Sequence, residues 1–123
     1  MGVEPHRIVK QGVQIEFLLE DGEDIDSVDN IDAVIETRDG LRWGATLITI
    51  REVERILERW RRSGESAGGL YVRIPDLILM SGPGVEQMVA AILDLVDKDQ
   101  QSGLTPLGSA GGVEGGADSG VGE

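Results

Sequence analysis

The architecture of this chain follows from Asn30 to Thr49, where the sequence reads NIDAVIETRDGLRWGATLIT. Two apolar-rich runs flank Asp39-Gly40, and Asp-Gly in that setting predicts a β-hairpin because both central positions of a type I′ turn need positive φ. A two-residue loop fixes the register. The predicted pairs are Val34 with Ala45, Glu36 with Trp43, Asp32 with Leu47 and Ile31 with Ile48.

In this register neither face of the hairpin is cleanly polar. One face carries Val34, Leu41, Trp43, Ala45 and Leu47, and the other carries Ile31, Ala33, Ile35 and Ile48. One face is expected to meet helices. The second would then be covered by a partner or by the chain's own ends.

Upstream of the hairpin lies an acidic connector, Glu20–Asp32, which holds seven carboxylates and no basic residue. It follows an alternating apolar run from Val13 that predicts a strand. Such a connector is either a solvated loop or a surface for a cationic partner. The candidate partner-binding residues are Asp21, Glu23, Asp24, Asp26, Asp29 and Asp32, with Glu36 and Trp43 from the hairpin.

Downstream of the hairpin, Thr49-Ile50-Arg51-Glu52 is a capping box that predicts a helix start, with Glu52 reaching back to the Thr49 amide. An apolar stripe continues to Trp60, and Ser63-Gly64 predicts the helix end. Leu70–Ile74 and Leu77–Met80 then predict two short strands that form a hairpin. A second helix begins at Gly82-Pro83-Gly84, and its apolar residues lie on one face: Val85, Met88, Val89, Ile92, Leu95 and Val96.

The element order βββαββα predicts an α+β fold. Its sheet would be mostly antiparallel, with about five strands and two helices packed on one face. The expected organisation is a flexible N-terminal arm over 1–12, a single domain over 13–99 and a disordered Gly-rich acidic tail over 100–123. The tail has eight glycines and no aromatic residue, so it has little apolar surface to bury.

Composition narrows the function mainly by exclusion. A formal net charge of −12 disfavours nucleic acid and anionic membranes as partners. The absence of cysteine removes thiolate zinc sites and cysteine nucleophiles. The N-terminus has no apolar signal-peptide core, and no run of about 18 apolar residues occurs, so a cytoplasmic protein is expected.

No constellation of residues predicts catalysis, and no cofactor is expected. The one histidine, His6, lies in the expected arm, and Ser81–Gly84 lacks the spacing and lysine of a phosphate-binding P-loop. Asp24, Asp26 and Asp29 fit no calcium-loop frame. A solvated connector is preferred there, with weak divalent binding as the alternative.

A line of arginines follows one side of the first predicted helix. Arg51, Arg55, Arg59 and Arg62 could mark a nucleic-acid surface, but Glu54 and Glu58 are interleaved with them. A salt-bridged solvent face, opposite the acidic connector of the same or another chain, is the preferred interpretation.

Trp43 through Val96 carries a resemblance in five short stretches. They are Trp43 to Thr46, Glu52 to Arg55, Gly69 to Val72, Asp76 to Leu79, and Gly84-Val85. In these the chain resembles small uncharacterised acidic bacterial proteins of the actinobacterial type. Some proteins of that size, charge and α+β composition are immunity proteins that neutralise a cognate toxin. The resemblance includes no functional motif, so it implies no site residues.

The preferred function is a non-enzymatic protein-binding module, either an immunity-like inhibitor or an accessory subunit. Its acidic connector would steer onto a basic partner, a toxin among the candidates, and Trp43 would supply an exposed anchor. The alternative is a structural or regulatory homodimer that uses the second sheet face. The protein would accordingly be a monomer or a homodimer, and an enzyme ranks third.

Overall fold

A computed structural model of the protein describes residues 3–109. Its elements are β1 (Val3–Lys10), β2 (Val13–Glu20), β3 (Asn30–Glu36), β4 (Leu41–Thr49), α1 (Ile50–Ser63), α2 (Glu65–Gly69), β5 (Leu77–Met80), α3 (Val85–Asp97), a 3-10 turn (Gln101–Gly103) and β6 (Thr105–Ser109). Within residues 3–109, every helix is too short or too polar to cross a membrane.

The six strands form one sheet in the order β1-β2-β3-β4-β5, with β6 paired to the first half of β4. Every strand pair is antiparallel except β4 with β5. The predicted α+β class with a mostly antiparallel sheet is confirmed. β1 lies at one end of this order, so it is an edge strand.

β1 is the first place where the structure differs from the predicted organisation, which assigned residues 1–12 to a flexible arm. Residues 3–10 pair with β2 along their whole length, from Val3 opposite Glu20 to Lys10 opposite Val13. Gln11 and Gly12 connect the two strands with φ of 55° and 79°. Two successive positive φ values define a type I′ turn, whose twist matches that of the paired strands.

The predicted hairpin of β3 and β4 forms, but its loop is one residue longer than predicted. Thr37 N–H donates to the Leu41 carbonyl, and Gly40 N–H donates to the Thr37 carbonyl, each at 2.9 Å. Gly40 has φ of 85°, whereas Asp39 is not left-handed. Asp39 Oδ1 instead accepts from the Thr37 hydroxyl and the Leu41 amide. These bonds favour a type I turn followed by a left-handed glycine.

The longer loop shifts the pairing by one residue, so all four predicted pairs are wrong. Ile31, Ala33 and Ile35 lie opposite Leu47, Ala45 and Trp43. Since side chains alternate along a strand, these six apolar residues share one face. The predicted second apolar face does not form. In its place are Asn30, Asp32, Val34, Glu36, Arg42, Gly44, Thr46 and Ile48.

The apolar face of the sheet is covered by α3. Its residues Val85, Met88, Val89, Ile92, Leu93 and Val96 form one buried cluster with the inward residues of β2, β3 and β4. Among the described residues, none from α1 belongs to this cluster. Ile56 of α1 and Ile48 of β4 are buried outside it. One helix rather than two therefore covers this face.

The start of α1 confirms half of the predicted capping box. Glu52 N–H donates to Thr49 Oγ1 at 3.0 Å. The reciprocal bond is absent from the described residues, because Thr49 N–H donates to the Asp29 carbonyl at 2.9 Å and the Glu52 carboxylate accepts from Arg55. The predicted helix end is confirmed at Gly64, where φ is 89°.

The predicted strand over Leu70–Ile74 is wrong. β5 pairs parallel to β4, from Thr46 opposite Leu77 to Thr49 opposite Met80, and a parallel pair requires a crossover connection rather than a hairpin. Residues 50–76 form that crossover. Leu70 lies within it and is 78% exposed.

The C-terminal segment also differs from the expected disordered tail over 100–123. Leu104 is buried in the core cluster, and β6 pairs with Leu41–Gly44 of β4. Residues 110–123 lie outside the described residues. Regular structure therefore runs from Val3 to Ser109, beyond both predicted boundaries of 13–99.

Candidate functional site

The acidic connector attaches to the start of α1 through Asp29. The Asp29 carbonyl accepts from Thr49 N–H, and its carboxylate accepts from the Thr49 hydroxyl at 2.9 Å. Arg51 and Arg55 approach the same carboxylate at 3.3 and 3.5 Å. The predicted salt-bridged side of α1, facing the connector of the same chain, is supported by these contacts.

The environment of Asp29 stabilises its charged form. Partial burial raises the pKa of this carboxyl, but the Thr49 hydrogen bond and the positive charges of Arg51 and Arg55 outweigh it. The net result is a pKa below the ordinary value for aspartate. Asp29 therefore acts first as a structural group at the N-terminus of α1, where a negative charge is favourable.

The connector also contacts the start of α3. Gly84 N–H donates to the Val28 carbonyl at 3.0 Å, and Val85 N–H donates to the Ile25 carbonyl at 2.7 Å. Gly84 has φ of 102°, and a Cβ there would lie 2.9 Å from the Asp26 carbonyl oxygen. Val28 is buried in the core cluster. The connector is thus hydrogen-bonded to two helix N-termini, while its residues 20–27 are exposed to solvent.

The other connector carboxylates are spread over several parts of the surface, with Glu23 and Asp24 beside one depression and Glu23 and Asp32 beside another. Glu23 accepts from the Glu20 amide, and Asp24 accepts from the Asp26 amide, so both stabilise the loop's own backbone. Asp32 accepts from Thr46 of the neighbouring strand at 3.2 Å. Asp21 and Asp26 are exposed. The structure therefore does not gather the six candidate carboxylates into one binding site.

The two hairpin candidates lie on opposite faces of the sheet. Trp43 is half-buried against the core cluster, and its Nε1 donates to Thr37 Oγ1 at 3.4 Å. Glu36 lies opposite Arg42 on the mostly polar face, in a shallow depression that Arg7 and Gln14 also line. Trp43 thus has the surroundings of a core residue rather than those of an exposed anchor.

A groove lies between β1 and α3 and has a volume of about 660 Å³. It forms because α3 covers β2 to β4 and leaves the inward side of β1 open. The floor is apolar and consists of Ile8, Ile25, Val85, Val89 and Leu93, with Ala90 at its side. A groove of this size, with a few polar groups at its margin, is typical of a binding site.

The rim of this β1–α3 groove is mainly acidic. Glu86, Asp94 and Asp97 follow one side of α3, and Asp26 of the connector closes the end near the start of the helix. Asp94 pairs with Lys98 and Asp97 with Arg38. Among the ion pairs of the described residues, none involves Asp26 or Glu86. Lys10 and His6 line the β1 side.

His6, which was assigned to the arm, is thus a rim residue of the groove. Within residues 3–109, histidine, aspartate and glutamate side chains form no group of three that could hold a metal ion. Ser81–Gly84 precedes α3, and its glycine at 84 contacts the connector instead of forming a phosphate loop. Weak divalent binding by Asp24, Asp26 and Asp29 therefore gains no geometric support.

Sequence reasoning identified Asp26 as a candidate and missed the rest of the groove. Val85 and Val89 were predicted on the apolar face of α3 and are buried, whereas Leu93, which is also buried, was not included in that face. The groove arises where that face extends past the covered strands. The one local signal was Gln11-Gly12, which marks the β1–β2 turn and so the presence of β1.

Comparisons of the chain with protein-family models, with curated proteins and with solved structures return no match. The fold and groove alone define the class, which is an α+β protein with an acid-rimmed surface groove.

Proposed function

We propose that this protein is a non-enzymatic protein-binding module that takes a basic, partly apolar segment of a partner protein into the β1–α3 groove. The observation that carries the proposal is the combination of an apolar floor with carboxylates along its rim. Apolar burial supplies affinity, and complementary charge supplies steering and selectivity.

The proposed mechanism assigns different roles to the acidic residues. Asp26 and Glu86 attract the cationic partner, because neither belongs to an ion pair of the described residues. Asp29 stabilises the connector and so holds Ile25 and Asp26 at the end of the groove. The apolar anchor comes from the partner, since Trp43 packs against the protein's own core.

An immunity-like inhibitor of a basic toxin and an accessory subunit both remain proposals of this kind, as does a cytoplasmic location. Either role requires a surface that binds a partner protein without catalysing a reaction, and the groove is proposed as that surface. The homodimer alternative was based on a second apolar sheet face. The observed register replaces that face with a mostly polar one, so this reason for a homodimer no longer applies.

The proposal is tested by selecting random phage-displayed peptides on the native protein and measuring their binding to two variants. Ala90→Arg fills the groove from an exposed helix position that lines it. Gln87→Arg adds the same side chain at an exposed position of the same helix that does not line the groove. We expect selected peptides rich in lysine, arginine and apolar residues, with binding reduced about tenfold or more by Ala90→Arg alone.

The matched variant separates charge from location, since both substitutions add one positive charge to α3. Thermal melting of the two variants checks that the fold is retained. The proposal would be contradicted by a selection without enrichment, or by peptides whose binding Ala90→Arg and Gln87→Arg reduce equally.

A further inference from the structure

Within residues 3–109, no strand pairs with the outer edge of β1, which lies beside the groove. In a two-residue hairpin the residues that flank the turn form a hydrogen-bonded pair, here Lys10 and Val13. Bonded and non-bonded pairs alternate along an antiparallel ladder. The N–H and C=O groups of Arg7 and Val9 therefore point away from β2, towards the free edge.

Pro5 independently supports this assignment of which backbone groups of β1 point outward. A proline has no N–H, so within a strand it is tolerated where the N–H would face outward from an edge. Pro5 is two residues before Arg7 and thus in the same phase as Arg7 and Val9. The proline also limits the usable part of the edge, because it removes the donor at that position.

We infer that the partner segment binds in extended form and adds as a further strand at the Arg7–Val9 edge of β1, with alternate side chains entering the groove. This inference rests on the proposed function and specifies its mode. Strand addition satisfies the outward backbone groups of β1. A helix lying in the groove would fill the apolar floor but would leave those groups without a partner in the complex.

The length of α3 suits an extended segment lying along the groove. α3 has 13 residues and spans about 20 Å at 1.5 Å per residue. An extended chain of about six residues covers the same length at 3.4 Å per residue. Every second side chain of that segment faces Ile8, Val89 and Leu93, while long basic side chains reach Glu86 and Asp26 at the rim.

Charge identifies the occupant as a segment of another protein. Residues 110–123 of this chain contain Glu114, Asp118 and Glu123 and no basic residue, so their charge is the same as that of the rim. A second copy pairing β1 with β1 would bring two acidic rims together. An extended cationic and apolar segment avoids both repulsions.

The test uses the tightest phage-selected peptide and the variants Val9→Pro and Val9→Ala. Val9 is 64% exposed, so both variants remove a mainly solvent-exposed side chain, but only proline removes the outward N–H. We expect Val9→Pro to weaken peptide binding about tenfold and Val9→Ala to change it less than about twofold.

Hydrogen exchange of the native protein supplies a second readout that does not depend on the folding of a variant. The peptide should slow exchange of the Arg7 and Val9 amides. Equal affinities for Val9→Pro and Val9→Ala, together with unchanged exchange at these amides, would overturn strand addition while leaving groove binding intact. Failure of the proposed function is distinct, since it leaves no peptide whose binding depends on Ala90.

Discussion

At the scale of single residues, Asp29 differs from the other carboxylates of the acidic connector. Its side chain is only 16% exposed, and it binds Thr49, Arg51 and Arg55. In sequence it is indistinguishable from Asp24 or Asp26, because its partners lie 20 or more residues away. Charge counting therefore predicted an acidic segment, but it could not predict which carboxylate is structural.

This environment predicts an acid-dependent stability. The pKa of Asp29 is lowered in the folded protein, so its contribution is fully present above the unfolded-state pKa of about 3.9 and is lost as pH falls through the folded value. Asp29→Asn should lower the free energy of unfolding by about 1–2 kcal/mol at neutral pH and by less at acid pH. Urea unfolding of the native protein and of the Asp29→Asn variant, from neutral to acid pH, measures this difference in stability. Parallel stability curves would show that Asp29 has no such role.

At the scale of elements, short sequence motifs predicted the features that depend on residues close together in the chain. The Thr49 cap, the Gly64 helix end and the β3–β4 hairpin are all confirmed. The hairpin register was wrong because it depends on the bonds of Asp39 to Thr37 and Leu41, which favour a three-residue loop that Asp-Gly alone does not indicate.

β1 was missed for a different physical reason. Its inward residues are His6, Ile8 and Lys10, which do not form an apolar alternation. They need not be apolar because no helix covers them. The uncovered strand that escaped the sequence pattern is therefore the same strand that forms one wall of the groove.

The attachment of the connector to α3 is tested by Gly84→Ala. A Cβ at this position would approach the Asp26 carbonyl to 2.9 Å, and φ of 102° is unfavourable for any L side chain. We expect a loss of about 2–4 kcal/mol in the free energy of unfolding, measured by chemical denaturation. Gly103→Ala is the control, because a Cβ at position 103 would meet no other atom within 4 Å and the backbone φ there is not positive. If the two variants were equally stable, the connector would be able to move away from residue 84 with little loss of free energy.

At the scale of the whole molecule, the groove forms because one helix is too narrow to cover the full width of the sheet. α3 covers β2, β3 and β4, and the edge strand β1 extends beyond it. The sequence allowed the class and the core face of α3 to be predicted. It could not show the groove, because pairing of β1 with β2 and the position of α3 over the sheet are both needed to form it.

The net charge of −12 acts over the whole molecule, and its effect on association can be separated from that of the rim. The variant Asp26→Asn/Glu86→Gln removes two rim charges, and Glu54→Gln/Glu65→Gln removes two exposed charges that do not line the groove. The Debye length is about 30 Å at 0.01 M salt, so both variants should slow association of the selected cationic peptide.

At about 0.15 M salt the Debye length falls to about 8 Å, and only charges close to the bound peptide still act on it. Under these conditions the Asp26→Asn/Glu86→Gln variant should associate about two- to fivefold more slowly than the native protein, while the Glu54→Gln/Glu65→Gln variant should match it. Stopped-flow fluorescence of a labelled peptide measures both rates. If the two variants slowed association equally at 0.15 M, attraction would come from net charge alone, and Asp26 and Glu86 would have no specific part in recognising the partner.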